Sequence, residues 1–267
     1  MNVMAKPSSS NLPSTARSER IYAIGDIHGR YDLLLTLLDQ IHEFEASLKP
    51  SRSTQMIFLG DMIDRGPGSA SVLELLHNLS RMQKVTVLLG NHEELMLRAI
   101  DGEPGTMRAW LHLGGRATLR SFGIEPPNGV YDRAGLVRAI HEAIPKDLLS
   151  WLRSLPISAR SGDYFFCHAG IRPGVALHRQ RKEDLLWIRN EFLESDESHG
   201  VVIVHGHSIS PDVEIRHNRF GIDTGAYRTD ILTAAYLEGR KCGILSTGEP
   251  PQSGEGDLMT QAIQVPN

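Results

Sequence analysis

Five short apolar runs punctuate the chain, and each ends in glycine or histidine next to a charged or metal-capable residue. Ile21-Tyr22-Ala23-Ile24 runs into GDIHG, and Met56-Ile57-Phe58-Leu59 into GDMIDRG. Val85 to Leu89 runs into GNHE, Tyr164-Phe165-Phe166-Cys167 into HAG, and Val201 to Val204 into HGHS. The runs are continuous rather than alternating, which suits strands covered on both faces. Between the first three lie stripes at helical spacing: Leu33, Leu34, Leu37, Leu38 and Ile41, then Val72, Leu75, Leu76 and Leu79. The order β-α-β-α-β predicts a mainly parallel sheet with right-handed crossovers. In such sheets the loops after the strand C-termini share one edge, where ligands bind. The five polar motifs should therefore converge, although they span residues 25 to 208.

The remainder of the pattern sets the domain plan. Residues 1–19 and 248–267 are rich in Ser, Pro, Gly and polar groups and read as loose tails around one domain at 20–247. Residues 101–156 break the strand rhythm. They carry Trp110, Trp151, the pair Gly114-Gly115 and a long amphipathic pattern (Leu136, Ile140, Ile144, Leu148, Leu152). This predicts a helical insertion beside the site edge, a candidate substrate cap. The late stretches RFGIDTGA and ILTAAYLEG predict antiparallel strands that close a second sheet. The fold class expected is α/β (α+β by some schemes).

Composition changes little in this picture. With 267 residues the chain can bury a substantial core, and 40% hydrophobic with 22% charged residues is ordinary for a soluble globular protein. A net charge of −4 and the lack of a basic stripe with interleaved aromatics argue against nucleic acid as a partner. The two cysteines cannot form a disulfide framework and read as packed thiols. The N-terminal stretch has no apolar signal region, and no apolar run reaches the roughly 18 residues of a membrane span. The expectation is a cytoplasmic protein with no membrane partner.

The polar motifs carry the chemistry. Asp26, His28, Asp61, Asn91, His168 and His207 sit in five strand-end loops that the topology gathers. Two carboxylates, an amide and three imidazoles are too many for one four-coordinate zinc. They suit two metals about 3.5–4 Å apart that stabilise both attacking and leaving oxygens in phosphoryl displacement. The mixed N/O donor set favours Mn, Fe, Zn or Ni over Ca or Mg.

GDIHG, GDMIDRG and GNHE, followed by HAG, GHS and IDTGA, resemble the signature of the phosphoprotein phosphatase branch of the calcineurin-like metallophosphoesterases, lambda-type enzymes included. The resemblance implies a β-sandwich flanked by helices and two transition-metal ions, divalent or trivalent, with manganese foremost. Asp26 and His28 would bind the first metal, Asp61 would bridge, and Asn91, His168 and His207 would bind the second. A hydroxide bridging the metals would attack phosphorus in line. His92, paired with Asp64, would give the leaving oxygen its proton. Arg65 and Arg189, with Asn91, would hold the phosphate, a task suited to a bidentate guanidinium. Glu93 is expected to act structurally at a helix start. In His205-Gly206-His207 the Gly-His order favours His207 as ligand and leaves His205 to packing or support of the ligands.

The leading expectation is a protein serine/threonine phosphatase acting on a phosphorylated protein or peptide. The alternatives are a symmetrical bis(5'-nucleosyl)-tetraphosphatase, with a dinucleoside polyphosphate as substrate, and a phosphotyrosine-directed phosphatase. A metal-binding adaptor without turnover would have no use for a proton donor such as His92.

Overall fold

The structure is a computed structural model that describes residues 12–82, 84–126, 128–129 and 131–248. Strand β1 (Glu19–Ile24), helix α1 (Tyr31–Ser47), β2 (Ser53–Phe58), α2 (Ser69–Ser80), β3 (Val85–Val87) and α3 (Asn91–Ile100) open the chain. A helical stretch follows: α4 (Thr106–Trp110), a wide π turn (Leu111–Gly115), α5 (Arg116–Ser121), α6 (Arg133–Ala143) and α7 (Lys146–Ser154). Then come β4 (Ser158–Ser161), β5 (Tyr164–Cys167), α8 (Lys182–Trp187), α9 (Asn190–Leu193), β6 (Val202–His205), β7 (Glu214–Ile215) and β8 (Arg219–Gly221). Helix α10 (Ala226–Thr229), β9 (Thr233–Glu238) and β10 (Lys241–Ser246) complete it.

Two five-stranded sheets result, in the orders β10-β9-β1-β2-β3 and β4-β5-β6-β8-β7. As expected from the β-α-β-α-β pattern, β1, β2 and β3 are parallel. In the second sheet β5, β6 and β8 are parallel too.

The alternation within each strand explains the continuous apolar runs. Ile21 and Ala23 on β1 and Ile57 on β2 face Tyr164, Phe166, Val202 and Val204 of the other sheet. Tyr22, Ile24 and Phe58 point the other way, onto Leu34, Leu37, Ile41 and Phe44 of α1 and Val72, Leu73 and Leu76 of α2. Burying each such side chain contributes roughly 1.5–3 kcal/mol, far more than helix propensity does. The outer face of the second sheet (Phe165, Cys167, Ile203) is covered by Leu185, Ile188 and Phe192. The layers thus run helix, sheet, sheet, helix.

Two expectations need correction, and one is refined. RFG and TAAYLE do not pair within one sheet: β8 joins the second, while β9 crosses back and pairs antiparallel with β1 and β10 in the first. The reason lies in β9 itself. Tyr236 packs among Tyr22 and Phe44, while Ala235 and Leu237 fill the space between the sheets, so both faces suit a place beside β1. The long amphipathic pattern of the insertion is two helices, because Pro145 starts α7 and cannot continue α6. Residues 14–18, expected to be loose, are tied down by backbone pairing that a polar composition does not reveal. Thr15 N–H donates to Gly239 O at 3.0 Å, Asp163 N–H to Ser14 O at 2.8 Å, and Gly239 N–H to Thr15 Oγ1 at 2.8 Å. Residues 1–11 and 249–267 of the expected tails lie outside the described residues.

Candidate active site

The loops after β1, β2, β3, β5, β6 and β8 meet at one edge and are laced together by backbone bonds. Ile27 and His28 N–H donate to Asp61 O, Gly66 N–H to His28 O, Gly206 N–H to His168 O, and Ile222 N–H to His205 O. The chain is bent hard to achieve this. Among the described residues the non-glycine positions with positive φ are Ser18, His28, Asp61, Asp64, Arg65, His207 and Asp230, so five of seven lie in this edge. Each such conformation costs on the order of 1–3 kcal/mol and persists only where the surroundings enforce it. Two glycines let the loops close. A Cβ on Gly60 (φ +98°) would lie 2.6 Å from the Gly90 backbone, and one on Gly206 would lie 2.0 Å from Asp26 Oδ1.

Glu93 is the main enforcer. Its fully buried carboxylate accepts N–H bonds from Met62 (2.8 Å) and Ile63 (3.1 Å) on one oxygen, and from Asp61 and Gly90 (both 3.0 Å) on the other. These four bonds tie the GDMID turn to the start of α3.

Asp61 lies at the centre. Its Oδ2 is 3.4 Å from His28 Nε2 and its Oδ1 is 3.4 Å from His168 Nε2. Two groups of candidate metal ligands share it: Asp61 with His28 and His92, and Asp61 with His168 and His207. The second also contains Asn91, whose Oδ1 lies 2.7 Å from His168 Nε2 and 2.9 Å from His207 Nδ1.

The donor chemistry fits cations. His28 Nδ1 and His168 Nδ1 lie 2.8 and 2.9 Å from the Ile63 and Leu59 carbonyls, so those nitrogens donate. The Nε2 atoms then carry lone pairs that face carboxylate and amide oxygens, acceptor toward acceptor. Histidine ligands of metals are oriented in this way by an N–H to a backbone carbonyl. Burial lowers His28 to about 3, His207 to about 2, and His168 below its ordinary value, so all three imidazoles are neutral and able to ligate.

Asp26 stands slightly apart from these groups. Its carboxylate accepts the His207 N–H at 3.0 and 3.2 Å and touches Asp223. Burial, then the charges of Asp223 and Asp61, push Asp26 well above the usual carboxylate range. Asp223, from IDTGA, is pushed up to about 6 by burial. A concentration of buried carboxylates of this kind is stabilised by a divalent cation.

His92, a member of the first group with Nε2 3.8 Å from Asp61 Oδ2, has a second set of partners. Its Nδ1 lies 2.7 Å from Asp64 Oδ2, and its Nε2 is 3.2 Å from Arg65 Nη2. Burial lowers its pKa, but the Asp61 and Asp64 carboxylates outweigh that and hold the imidazole above its ordinary value. Arg65 also lies over the Tyr227 ring, 4.5 Å from the centroid. Arg189 is exposed at the rim, where its charge lowers the basicity of His168 and His207. The Trp187 ring is edge-on to His207 at 6.4 Å, which places the WIR segment beside the cluster. His205, the last residue of β6, is buried against Phe192 with Nδ1 3.0 Å from Gly206 O, and lies in neither ligand group.

Residues that sequence reasoning missed come from outside the motifs. Trp110 and Thr118 both bond Asp64, and Tyr227 supports Arg65. Only Tyr227, next to IDTGA, had a nearby signal.

Symmetrical bis(5'-nucleosyl)-tetraphosphatase of Vibrio campbellii is 32% identical over 152 residues, covering 57% of this chain and 45% of that protein. That of Legionella pneumophila is 34% identical over 154 residues, with 57% and 45% covered. The chain thus spans about half the length of the curated relatives it matches. A cold-active protein tyrosine phosphatase shares the fold at a TM-score of 0.58 and 19% identity, covering 88% of this chain and 80% of that one. Residues 19–235, which include every motif residue of the shared edge, match the calcineurin-like phosphoesterases, and the chain belongs to that family.

Proposed function

We propose that this phosphoesterase is a two-metal hydrolase that cleaves a dinucleoside polyphosphate symmetrically. The observation that carries the substrate is the 30–34% identity to symmetrical tetraphosphatases. That evidence favours the dinucleotide over the phosphoprotein substrate expected from the motifs, since both chemistries use the same edge.

His28 and Asp26 would hold one metal, Asn91, His168 and His207 the other, with Asp61 between them. When bound, the pair would supply an activated water and positive charge at the phosphorus. The chain's own residues do the rest. Arg65, steadied by Tyr227, and Arg189, open at the rim, grip non-bridging phosphate oxygens. His92 gives a proton to the leaving oxygen while Asp64 holds the imidazolium charge. The 3.2 Å between Arg65 Nη2 and His92 Nε2 supports this reading, since a phosphate gripped by Arg65 would lie close to that imidazole. Replacing either arginine by Ala should leave metal content unchanged and lower kcat/KM, as each charge-assisted contact contributes about 1.5–3 kcal/mol.

Manganese-loaded protein should convert diadenosine tetraphosphate and water into two ADP, at a kcat/KM well above that for a phosphoserine peptide. EDTA should abolish turnover, and added Mn should restore it. Cleavage to AMP and ATP, or preference for the peptide, would defeat the substrate assignment and, in the latter case, return the protein-phosphatase reading.

A further inference from the structure

The helical insertion reaches the His92–Asp64 pair from outside through two side chains. Trp110 is fully buried, and its Nε1–H points at both oxygens of Asp64, 3.0 Å from Oδ1 and 3.1 Å from Oδ2. Thr118, equally buried, donates its hydroxyl to Asp64 Oδ1 at 2.6 Å and accepts the Asp64 N–H at 2.9 Å. His92 takes the remaining side of the carboxylate, at Oδ2. Asp64 is therefore held at backbone and side chain together, in a left-handed conformation (φ +73°).

The local chain geometry is fitted to this contact. In a continuous α-helix, residues eight apart point about 80° away from each other. Here the segment Leu111–Gly115 between α4 and α5 is kinked rather than continuous, and across the kink Trp110 and Thr118 both reach Asp64. Gly114 within it has φ +133°, and its carbonyl accepts the Arg65 N–H. A Cβ on Gly115 would sit 2.5 Å from the Trp110 indole.

We infer that Trp110 and Thr118 are positioning residues for the proton donor, so that the insertion is a brace for His92 as well as a wall of the site. The inference rests on the reading of His92 as general acid. With both contacts in place, the Asp64 carboxylate cannot rotate, and Oδ2 stays on the His92 Nδ1–H. Without them the carboxylate turns, the imidazole loses its orientation, and Nε2 no longer points steadily at the leaving oxygen.

The test uses full-length, manganese-loaded protein and aryl and alkyl phosphate monoesters of graded leaving-group pKa, in single turnover. Trp110→Phe and Thr118→Val should each lose about 10–100-fold in rate on the poorest leaving groups and only a few-fold on p-nitrophenyl phosphate, a part of what proton donation contributes. KM and metal content should stay as in the wild type, and Thr118→Ser should recover most of the rate. In a His92→Asn background, Trp110→Phe should cause no further loss, because the brace acts only through that imidazole. Equal losses across all leaving groups, or the same fold-loss in the His92→Asn background, would overturn the brace. Should Trp110→Phe fold poorly, the Thr118 pair decides by the same criteria. A flat leaving-group response of His92→Asn itself overturns the acid assignment and the brace with it. A flat response of the brace variants beside a steep one for His92→Asn overturns the brace alone.

Discussion

Replacing Glu93 by Gln changes one atom in a buried ring of four backbone donors. One oxygen of Glu93 serves Met62 and Ile63, the other Asp61 and Gly90. Burial and the Asp61 charge push the Glu93 carboxyl up to about 8, against the N–H groups that favour its ionised form, so the full set of charge-assisted bonds is present above that pH, where the variant is compared. In Glu93→Gln the new amide keeps two of these bonds and turns an NH₂ group toward the other two donors. Two charge-assisted bonds, contributing about 1.5–3 kcal/mol each, are lost and two buried N–H groups are left without an acceptor. Partial opening of the turn relieves some of this, so a net loss of about 3–5 kcal/mol follows, the magnitude seen when a buried charge loses its partner. For a domain of this size that is a fall in Tm of roughly 10 °C. Urea unfolding followed by circular dichroism measures it, with Glu94→Gln as control. Glu94 binds Trp187 and Lys182 at a half-buried position, and its variant should stay within about 1 kcal/mol. Because the same ring sets the left-handed turn at Asp61, Glu93→Gln should also weaken metal retention. A loss of stability below about 1 kcal/mol would refute the view that Glu93 enforces the bent GDMID loop.

Gly206→Ala should remove activity and metal together, since its Cβ would press on Asp26 Oδ1; normal metal content would show that this approach is not needed. His207→Ala should cost far more activity and metal than His205→Ala, and the reverse order would exchange their roles. Thr15→Ala removes the acceptor for Gly239 N–H and should lower stability by about 1–2 kcal/mol in thermal unfolding, whereas an unchanged Tm would make residues 14–18 dispensable. Glu238 is raised by burial, but hydrogen bonds from Tyr236 and Arg20 outweigh this and hold it below the ordinary carboxylate value. Its share of stability is therefore full above that ordinary value, about 4.3, and is lost as pH falls through the lower folded value. Glu238→Gln should flatten the acid side of the stability curve, and an unaltered curve would contradict the assignment.

Asp26, His28, Asp61 and Asn91 could be gathered without coordinates because the strand ends of one parallel sheet share an edge, whereas His168 and His207 follow β5 and β6 of the other sheet and reach that edge through the packing of the two sheets. The preference for His207 over His205 came from the Gly-His order; in the structure β6 ends at His205, whose ring packs on Phe192, while His207 groups with Asp61 and His168. The sheet joined by β9 was not legible. Apolar on both faces, TAAYLE would suit either sheet, and only the fit of Tyr236 beside Tyr22 and Phe44 decides it. Trp110 and Thr118 were hidden for a different reason. Their partner Asp64 is 46 and 54 residues away, and the kink at Gly114 that lets both reach it was legible only as a Gly114-Gly115 break, without a direction. The anchoring of residues 14–18 rests on backbone pairing, to which side-chain composition is blind.

The central claim is a two-metal centre built around Asp61. Metal content per chain, measured by inductively coupled plasma mass spectrometry after manganese loading and desalting, tests it in wild-type protein and Asp61→Asn. The account predicts two ions per wild-type chain and loss of both in the variant, because this carboxylate lies between His28 and His168 and belongs to both ligand groups. Full retention of two ions by Asp61→Asn would contradict it.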